Sequence, residues 1–158
     1  MLRSALLIAG LLLSAVAAAE PKGFGAGIII GEPTGLTAKK FLGRGAAVDG
    51  AIAWSAGDHE SFHFHMDYLI HRYDILRGAS VPGALPVYFG IGGTVWTYDH
   101  DHHDYHDETG AGVRFPVGLS WLAPKAPFEV FFELVPQMNL VPATDFDLDA
   151  AIGARFYF

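Results

Sequence analysis

The chain closes on Phe146-Asp147-Leu148-Asp149-Ala150-Ala151-Ile152-Gly153-Ala154-Arg155-Phe156-Tyr157-Phe158. Taken two residues at a time, this stretch separates into an apolar set (Phe146, Leu148, Ala150, Ile152, Ala154, Phe156, Phe158) and a mixed polar set (Asp147, Asp149, Ala151, Gly153, Arg155, Tyr157). Side chains of a strand point alternately to its two faces, so the segment is a strand with one apolar and one polar face. The same division recurs upstream. In 62–72, Phe62, Phe64, Met66, Tyr68 and Ile70 oppose His63, His65, Asp67, Leu69 and His71, and in 111–122 the set Val113, Phe115, Val117, Leu119 and Trp121 opposes Gly112, Arg114, Pro116, Gly118 and Ser120. Asp49 opposes Val48, Ile52 and Trp54, while Glu129 and Glu133 oppose Phe128, Val130, Phe132 and Leu134.

Runs of this character occupy 24–31, 36–42, 46–55, 62–72, 86–97, 111–122, 128–135 and 146–158, eight in all. Gly, Pro, Asp and Asn gather between them, as in Glu32-Pro33-Thr34-Gly35 and Gly43-Arg44-Gly45, where turn residues belong. Strands joined by short turns pair antiparallel, and no helical period follows residue 24, so the fold class is all-β. Two prolines interrupt the pattern. Each removes a ladder donor, which predicts a bulge at Pro116 and a strand end at Pro136.

The 158 residues have room for one domain, and 10 Lys and Arg against 17 Asp and Glu leave a formal charge of -7. That balance excludes a general basic field for nucleic-acid phosphates. Residues 1–19 stand apart in composition: Met1-Leu2-Arg3 is a short positive start, 5–16 is apolar except for Gly10 and Ser14, and Ala17-Ala18-Ala19 precedes Glu20. This is the three-part pattern of a secretory signal peptide, with cleavage expected after Ala19. The apolar run falls short of the roughly 20 residues that a transmembrane helix needs. The expected layout is a signal peptide at 1–19 and one β domain at 20–158, with no cysteine for a disulfide or a lipid anchor.

Alternation fits a soluble sandwich with its apolar face inward as well as a membrane barrel with its apolar face outward. An even number of strands, runs reaching the 9 to 11 residues that cross a bilayer when tilted, and an export signal favour the barrel. In hydrocarbon an open sheet edge leaves backbone groups unpaired, so the sheet has to close. The expected fold is an eight-stranded antiparallel transmembrane β-barrel with a filled polar lumen, too narrow for a general porin. Its polar faces supply Asp49, Asp67, Glu129, Glu133 and Asp149 with Arg114, Arg155 and Lys39, and His63, His65 and His71 beside them. Lone charges in a narrow lumen are costly, so these residues are expected to form one ion-pair network that fixes register. Trp54, Trp96, Trp121 and Tyr98 fall near strand ends, where interfacial belts lie.

Gly153, Phe156 and the terminal Phe158 resemble the C-terminal signal read by the barrel-assembly machinery of Gram-negative outer membranes, with Ala151 where a polar residue is usual. The chain from Glu20 onward resembles the small eight-stranded outer-membrane barrels typified by the OmpA barrel domain and OmpX, by architecture rather than by close motif. More locally, Gly31-Glu32-Pro33-Thr34-Gly35-Leu36-Thr37-Ala38-Lys39, His65-Met66-Asp67-Tyr68-Leu69, Tyr88-Phe89-Gly90-Ile91-Gly92-Gly93 and Gly153-Ala154-Arg155-Phe156-Tyr157-Phe158 are similar to a family of such barrels in proteobacteria and spirochaetes that has no assigned activity. The resemblance implies a bacterial outer-membrane location among lipid and lipopolysaccharide. It implies the assembly machinery and periplasmic chaperones as partners in biogenesis, and it brings no catalytic residues. A monomer is expected.

One connection is rich in metal-ligating groups. His100, His102, His103 and His106 stand among Asp99, Asp101 and Asp104, followed by Asp107 and Glu108. Imidazole and carboxylate together suit Zn, Ni or Cu(II), and His100 with His102 on extended backbone, or His103 with His106 on a turn, can chelate in pairs. The plainer reading is a solvated acidic tip outside the cell, sharing the divalent cations of the outer leaflet. For a lipid A-modifying enzyme the nearest arrangement is His59-Glu60-Ser61, whose adjacency in a loop supplies none of the orienting geometry that a nucleophile and base need. The sequence therefore reads as an outer-membrane barrel with a structural or surface-interaction role and no enzymatic activity. Divalent-metal binding at 99–108 and lipid chemistry are the alternatives, and no resident cofactor is expected.

Overall fold

The structure, a computed structural model, describes residues 20–55, 61–98 and 108–158. Its strands are β1 (Gly25–Gly31), β2 (Gly35–Gly43), β3 (Ala46–Ser55), β4 (Ser61–Arg72), β5 (Val87–Tyr98), β6 (Glu108–Arg114), β7 (Val117–Leu122), β8 (Phe128–Val141) and β9 (Asp145–Tyr157). Each of β1 to β5 pairs antiparallel with the next, β5 pairs with both β6 and β7, both of these pair with β8, β8 pairs with β9, and β9 returns to β1. The sheet is a closed ring with up-and-down connectivity and no free edge. The final seam lies at the chain ends, where Phe24 and Phe158 exchange two backbone hydrogen bonds of 3.1 Å.

β6 and β7 are halves of one strand, so the ring has eight positions. On β5, Gly92 lies opposite Arg114 and Phe89 opposite Val117, three steps along each chain, and on β8 Gln137 faces Arg114 while Leu134 faces Val117. The register runs straight through Phe115-Pro116, which corrects the expectation of a bulge at Pro116: no extra residue is inserted there, and the ladder loses only the hydrogen bonds that the prolines cannot donate, since Gly90 N–H still donates to the Pro116 carbonyl at 2.9 Å. A bulge does occur between Ala111 and Gly112, and another irregularity between Phe41 and Gly43. The expectation that the strand ends at Pro136 is also corrected, because β8 continues to Val141 with Pro136 opposite Leu148. The Pro136 carbonyl accepts from Phe115 N–H at 2.9 Å. In an antiparallel pair the N–H and C=O of one residue point the same way, so the missing donor of Pro136 faces the lapse between β6 and β7. Two prolines thus share one discontinuity and leave the β8–β9 ladder whole.

Polarity is inverted relative to a soluble protein. Outward positions carry Ile28, Ile52, Met66, Ile91, Leu148 and Ile152, each between 43% and 61% exposed, while Lys39, Arg114, Glu129 and Arg155 point inward and are at most 2% exposed. Large inward side chains are accommodated by glycine directly across the ladder. Gly25 faces Tyr157, Gly92 faces Asp67, Gly110 faces Trp96, Gly118 faces Tyr88 and Gly153 faces Phe131. In each pair a Cβ on the glycine would collide with its partner's side chain. The lumen is packed large against small, ring by ring.

One end of the barrel, the terminus end, carries both strand-end termini together with the connections at 44–45, 73–86 and 123–127, and the other end, the mouth, carries the β1–β2 and β8–β9 turns. The β2–β3 hairpin runs through three successive residues of positive φ, Gly43 at 99°, Arg44 at 57° and Gly45 at 80°, a conformation for which the two glycines are suited. We expect Gly118→Val to lower the unfolding free energy by roughly 1–3 kcal/mol through overpacking against Tyr88. Gly78→Val, where a Cβ meets open space, is expected to stay within about 0.5 kcal/mol of the parent. Urea titration of the refolded barrel by tryptophan fluorescence measures both, and equal stability of the two variants would contradict this packing.

Candidate functional site

The lumen is built around two arginines. Arg155 on β9 donates through Nη2 to Asp49 Oδ2 on β3 and to Thr37 Oγ1 on β2, both at 2.8 Å, and through Nη1 to Glu129 Oε2 on β8 at 3.4 Å. Its guanidinium lies 3.9 Å from the Phe131 ring centroid. Glu129 is the hub of this group: Oε1 accepts from Lys39 Nζ at 2.8 Å and Ser120 Oγ at 2.6 Å, and Oε2 accepts from the Tyr157 hydroxyl at 2.6 Å. Lys39 Nζ is also 2.8 Å from His71 Nε2, and His71 Nδ1 is 2.9 Å from the Gly45 carbonyl. An ammonium has only donors, so His71 accepts at Nε2 and carries its proton at Nδ1.

Arg114 on β6 centres the second group. Its Nε lies 3.1 Å from Asp67 Oδ2 on β4 and its Nη2 lies 3.4 Å from Glu133 Oε1 on β8, whose Oε2 accepts from the Tyr88 hydroxyl at 2.9 Å. Tyr88 joins the two groups, since its ring stacks at 5.1 Å on His71 and lies 5.2 Å from Lys39 Nζ. Asp49 and Asp67 are directly opposed on β3 and β4. Like charges so placed repel, and each carboxylate is met by its own arginine reaching across the lumen. Below these groups, at the terminus end, the Glu20 carboxylate accepts from Gly45 N–H, and partial burial raises that carboxyl above its ordinary value.

Of the residues expected to form one network, Asp49, Asp67, Glu129, Glu133, Arg114 and Arg155 lie in these two groups, and His65 Nε2 stands 3.8 Å from Asp67. Asp149 stands apart, with its carboxyl against that of Glu32 at the mouth. His63 likewise faces the mouth and lies 2.9 Å from Thr94 Oγ1. Thr37, Tyr88 and Gln137 were not foreseen. Thr37 belongs to a short run whose polar face holds one evident charge, the glycine-rich run of Tyr88 hides its alternation, and Gln137 follows a proline that reads as a strand end.

Trp54 and Trp121 lie on the outward face near opposite ends of the barrel, and Trp121 Nε1 donates to the Pro82 carbonyl at 2.8 Å. Trp96 departs from the belt expectation. It shares the inward face with Thr94 and lines the mouth. Gly153 faces the lumen opposite Phe131, whereas Phe156 and Phe158 point outward, 51% and 73% exposed. The candidate ligands Asp99, His100, Asp101, His102, His103, Asp104 and His106 lie outside the described residues, as do His59 and Glu60. Among the described residues no three His, Asp or Glu side chains are arranged to hold a metal ion.

Above the arginine groups the lumen widens into an open cavity of about 490 Å³ lined by Glu32, Thr34, His63, Trp96, Gln137, Asn139, Asp147 and Asp149 among others. Closed ring, packed charged lumen and apolar exterior together define an eight-stranded β-barrel of the outer-membrane type. The solved N-terminal β-barrel domain of Pseudomonas aeruginosa OprF is similar in fold, with a TM-score of 0.64 and 15% identity over 88% of this chain and 100% of that one. No family model and no curated protein matches the sequence.

Arg155 is the residue whose loss leaves two buried carboxylates, Asp49 and Glu129, without their shared cation. We expect Arg155→Met to lower the unfolding free energy by about 3–5 kcal/mol, because Asp49 and Glu129 are left buried with less compensating charge. Arg155→Lys is expected to recover only part of it, since an ammonium cannot span Thr37, Asp49 and Glu129 at once. Urea titrations of the refolded barrel measure this, and unchanged stability in Arg155→Met would show that the ion pairs do not hold the lumen.

Proposed function

We propose that the chain is an integral protein of the bacterial outer membrane, exported by a leader at 1–19, with a structural or surface-interaction role and a lumen closed to general diffusion. It is not an enzyme in this reading. The observation that carries the reading is the inverted polarity of a closed barrel. Aliphatic and aromatic side chains ring the exterior while charged groups fill the centre. Each such side chain, about half exposed, forgoes on the order of 1 kcal/mol of burial in water, and a continuous apolar exterior far exceeds the patches that soluble monomers expose. A hydrocarbon surrounding removes that cost. The filled lumen supports a closed barrel over a pore, since both arginine groups lie across the passage between mouth and terminus end.

With an even number of strand positions both termini lie on one side; in this reading that side is the periplasm and the mouth opens at the cell surface. The aromatic pair Phe156 and Phe158 on the closing strand supports recognition by the assembly machinery. We expect the protein to fractionate with outer membranes, with Glu20 as its first residue, and deletion of Phe158 to lower the amount assembled. In planar bilayers the refolded barrel is expected to give no porin-like conductance. Recovery as a soluble periplasmic protein would contradict the membrane reading, and a large steady conductance would contradict the closed lumen.

A further inference from the structure

The mouth cavity has a composition that neither the arginine groups nor membrane insertion requires. Three carboxylates border it: Glu32 at the β1–β2 turn, and Asp147 and Asp149, successive inward residues of β9. Among the described residues no Lys or Arg lines it, and Arg114, across the ladder from Gln137, is ion-paired to Asp67 and Glu133 while its Nη1 has no hydrogen-bond partner. Gln137, directly across the ladder from Asp147, is 5% exposed and lines the same cavity. Its Nε2 donates to Asn139 Oδ1 at 2.9 Å, but its buried Oε1 has no hydrogen-bond partner. A buried acceptor without a donor is unfavourable unless a donor from a bound group meets it. The Trp96 ring supplies an aromatic wall.

We propose that this cavity binds a small organic cation bearing primary ammonium groups, such as an alkyl diamine. An ammonium offers three donors and no acceptor, the complement of Gln137 Oε1 and the carboxylates of Asp147, Asp149 and Glu32. The aromatic face of Trp96 attracts the cation and packs against the alkyl stem. Size and spacing favour an organic cation over a bare metal ion: about 490 Å³ lies within the range of ligand pockets, and the carboxylates do not converge as metal ligands among the described residues. The inference rests on the barrel itself and not on its placement in a membrane, so either can fail without the other.

The test is calorimetric titration of putrescine into the refolded chain from Glu20 to Phe158 in a zwitterionic detergent at low ionic strength. The same titration is run with Ca²⁺ and with Asp147→Asn/Asp149→Asn and Gln137→Leu variants. Saturable 1:1 binding is expected, weakened at least about tenfold in the double variant, the change that follows from removing a charge-assisted hydrogen bond. Gln137→Leu is expected to weaken it less. In a Trp54→Phe/Trp121→Phe background, which leaves Trp96 as the single tryptophan, fluorescence is expected to shift on saturation, which gives a readout with the carboxylates intact should the double variant not refold. Absence of binding, binding unchanged in both variants, or Ca²⁺ displacing putrescine at lower concentration than putrescine itself binds would each overturn the proposal.

Discussion

A guanidinium held at the centre of a barrel has to be met by carboxylates from other strands, and this requirement ties the structure together. Arg155 reaches from the last strand to β2, β3 and β8, and Arg114 reaches from β6 to β4 and β8. Taking either charge out of water without these partners is prohibitive, so each arginine is compatible with a single register of the strands it touches. A one-residue slip of any of them turns the partner carboxylate to the outside. Register, closure and lumen filling are therefore aspects of one constraint. Backbone pairing closes the ring, but the buried charges choose which ring.

The same constraint explains the distribution of glycine and aromatics. A narrow lumen that holds two guanidinium groups, Tyr88, Tyr157 and Phe131 has no space for a second large side chain at the same level. The cross-ladder positions are glycine for that reason. Tyr88 is the clearest case, because Gly118 admits its ring, Glu133 takes its hydroxyl, and its face lies on the Lys39 and His71 side. Through Tyr88 the two arginine groups become one continuous plug, and the open volume at the mouth lies above it.

Much of this was legible in the sequence. The period-two alternation of 62–72 and 146–158 gave both faces, and Asp67, Asp149 and Arg155 of the polar faces are buried in the lumen. Proline misled, because its effect depends on which neighbour its missing donor faces. Pro116 and Pro136 read separately as two defects, and only their adjacency in space makes them one. Asp149 misled for a related reason: strand alternation gives the face of a residue and not its height along the barrel. Its height places it with Glu32 at the mouth, above the arginines. Trp96 sits near a strand end as expected, but the glycine-rich β5 gives little alternation from which to read its face.

The central claim is that apolar residues face hydrocarbon and charged residues face the lumen. The chain has no cysteine, so single cysteines report unambiguously. The most direct measurement places a bimane label at Ile28→Cys, Ile91→Cys and Ile152→Cys, with Thr34→Cys at the mouth as reference, in barrels refolded into lipid bilayers. Brominated acyl chains and aqueous iodide then serve as quenchers. The account predicts quenching by brominated lipid and protection from iodide at the three outward isoleucines, with the reverse at Thr34. Iodide quenching at all four positions, with no response to brominated lipid, would mean that the apolar face does not meet a membrane.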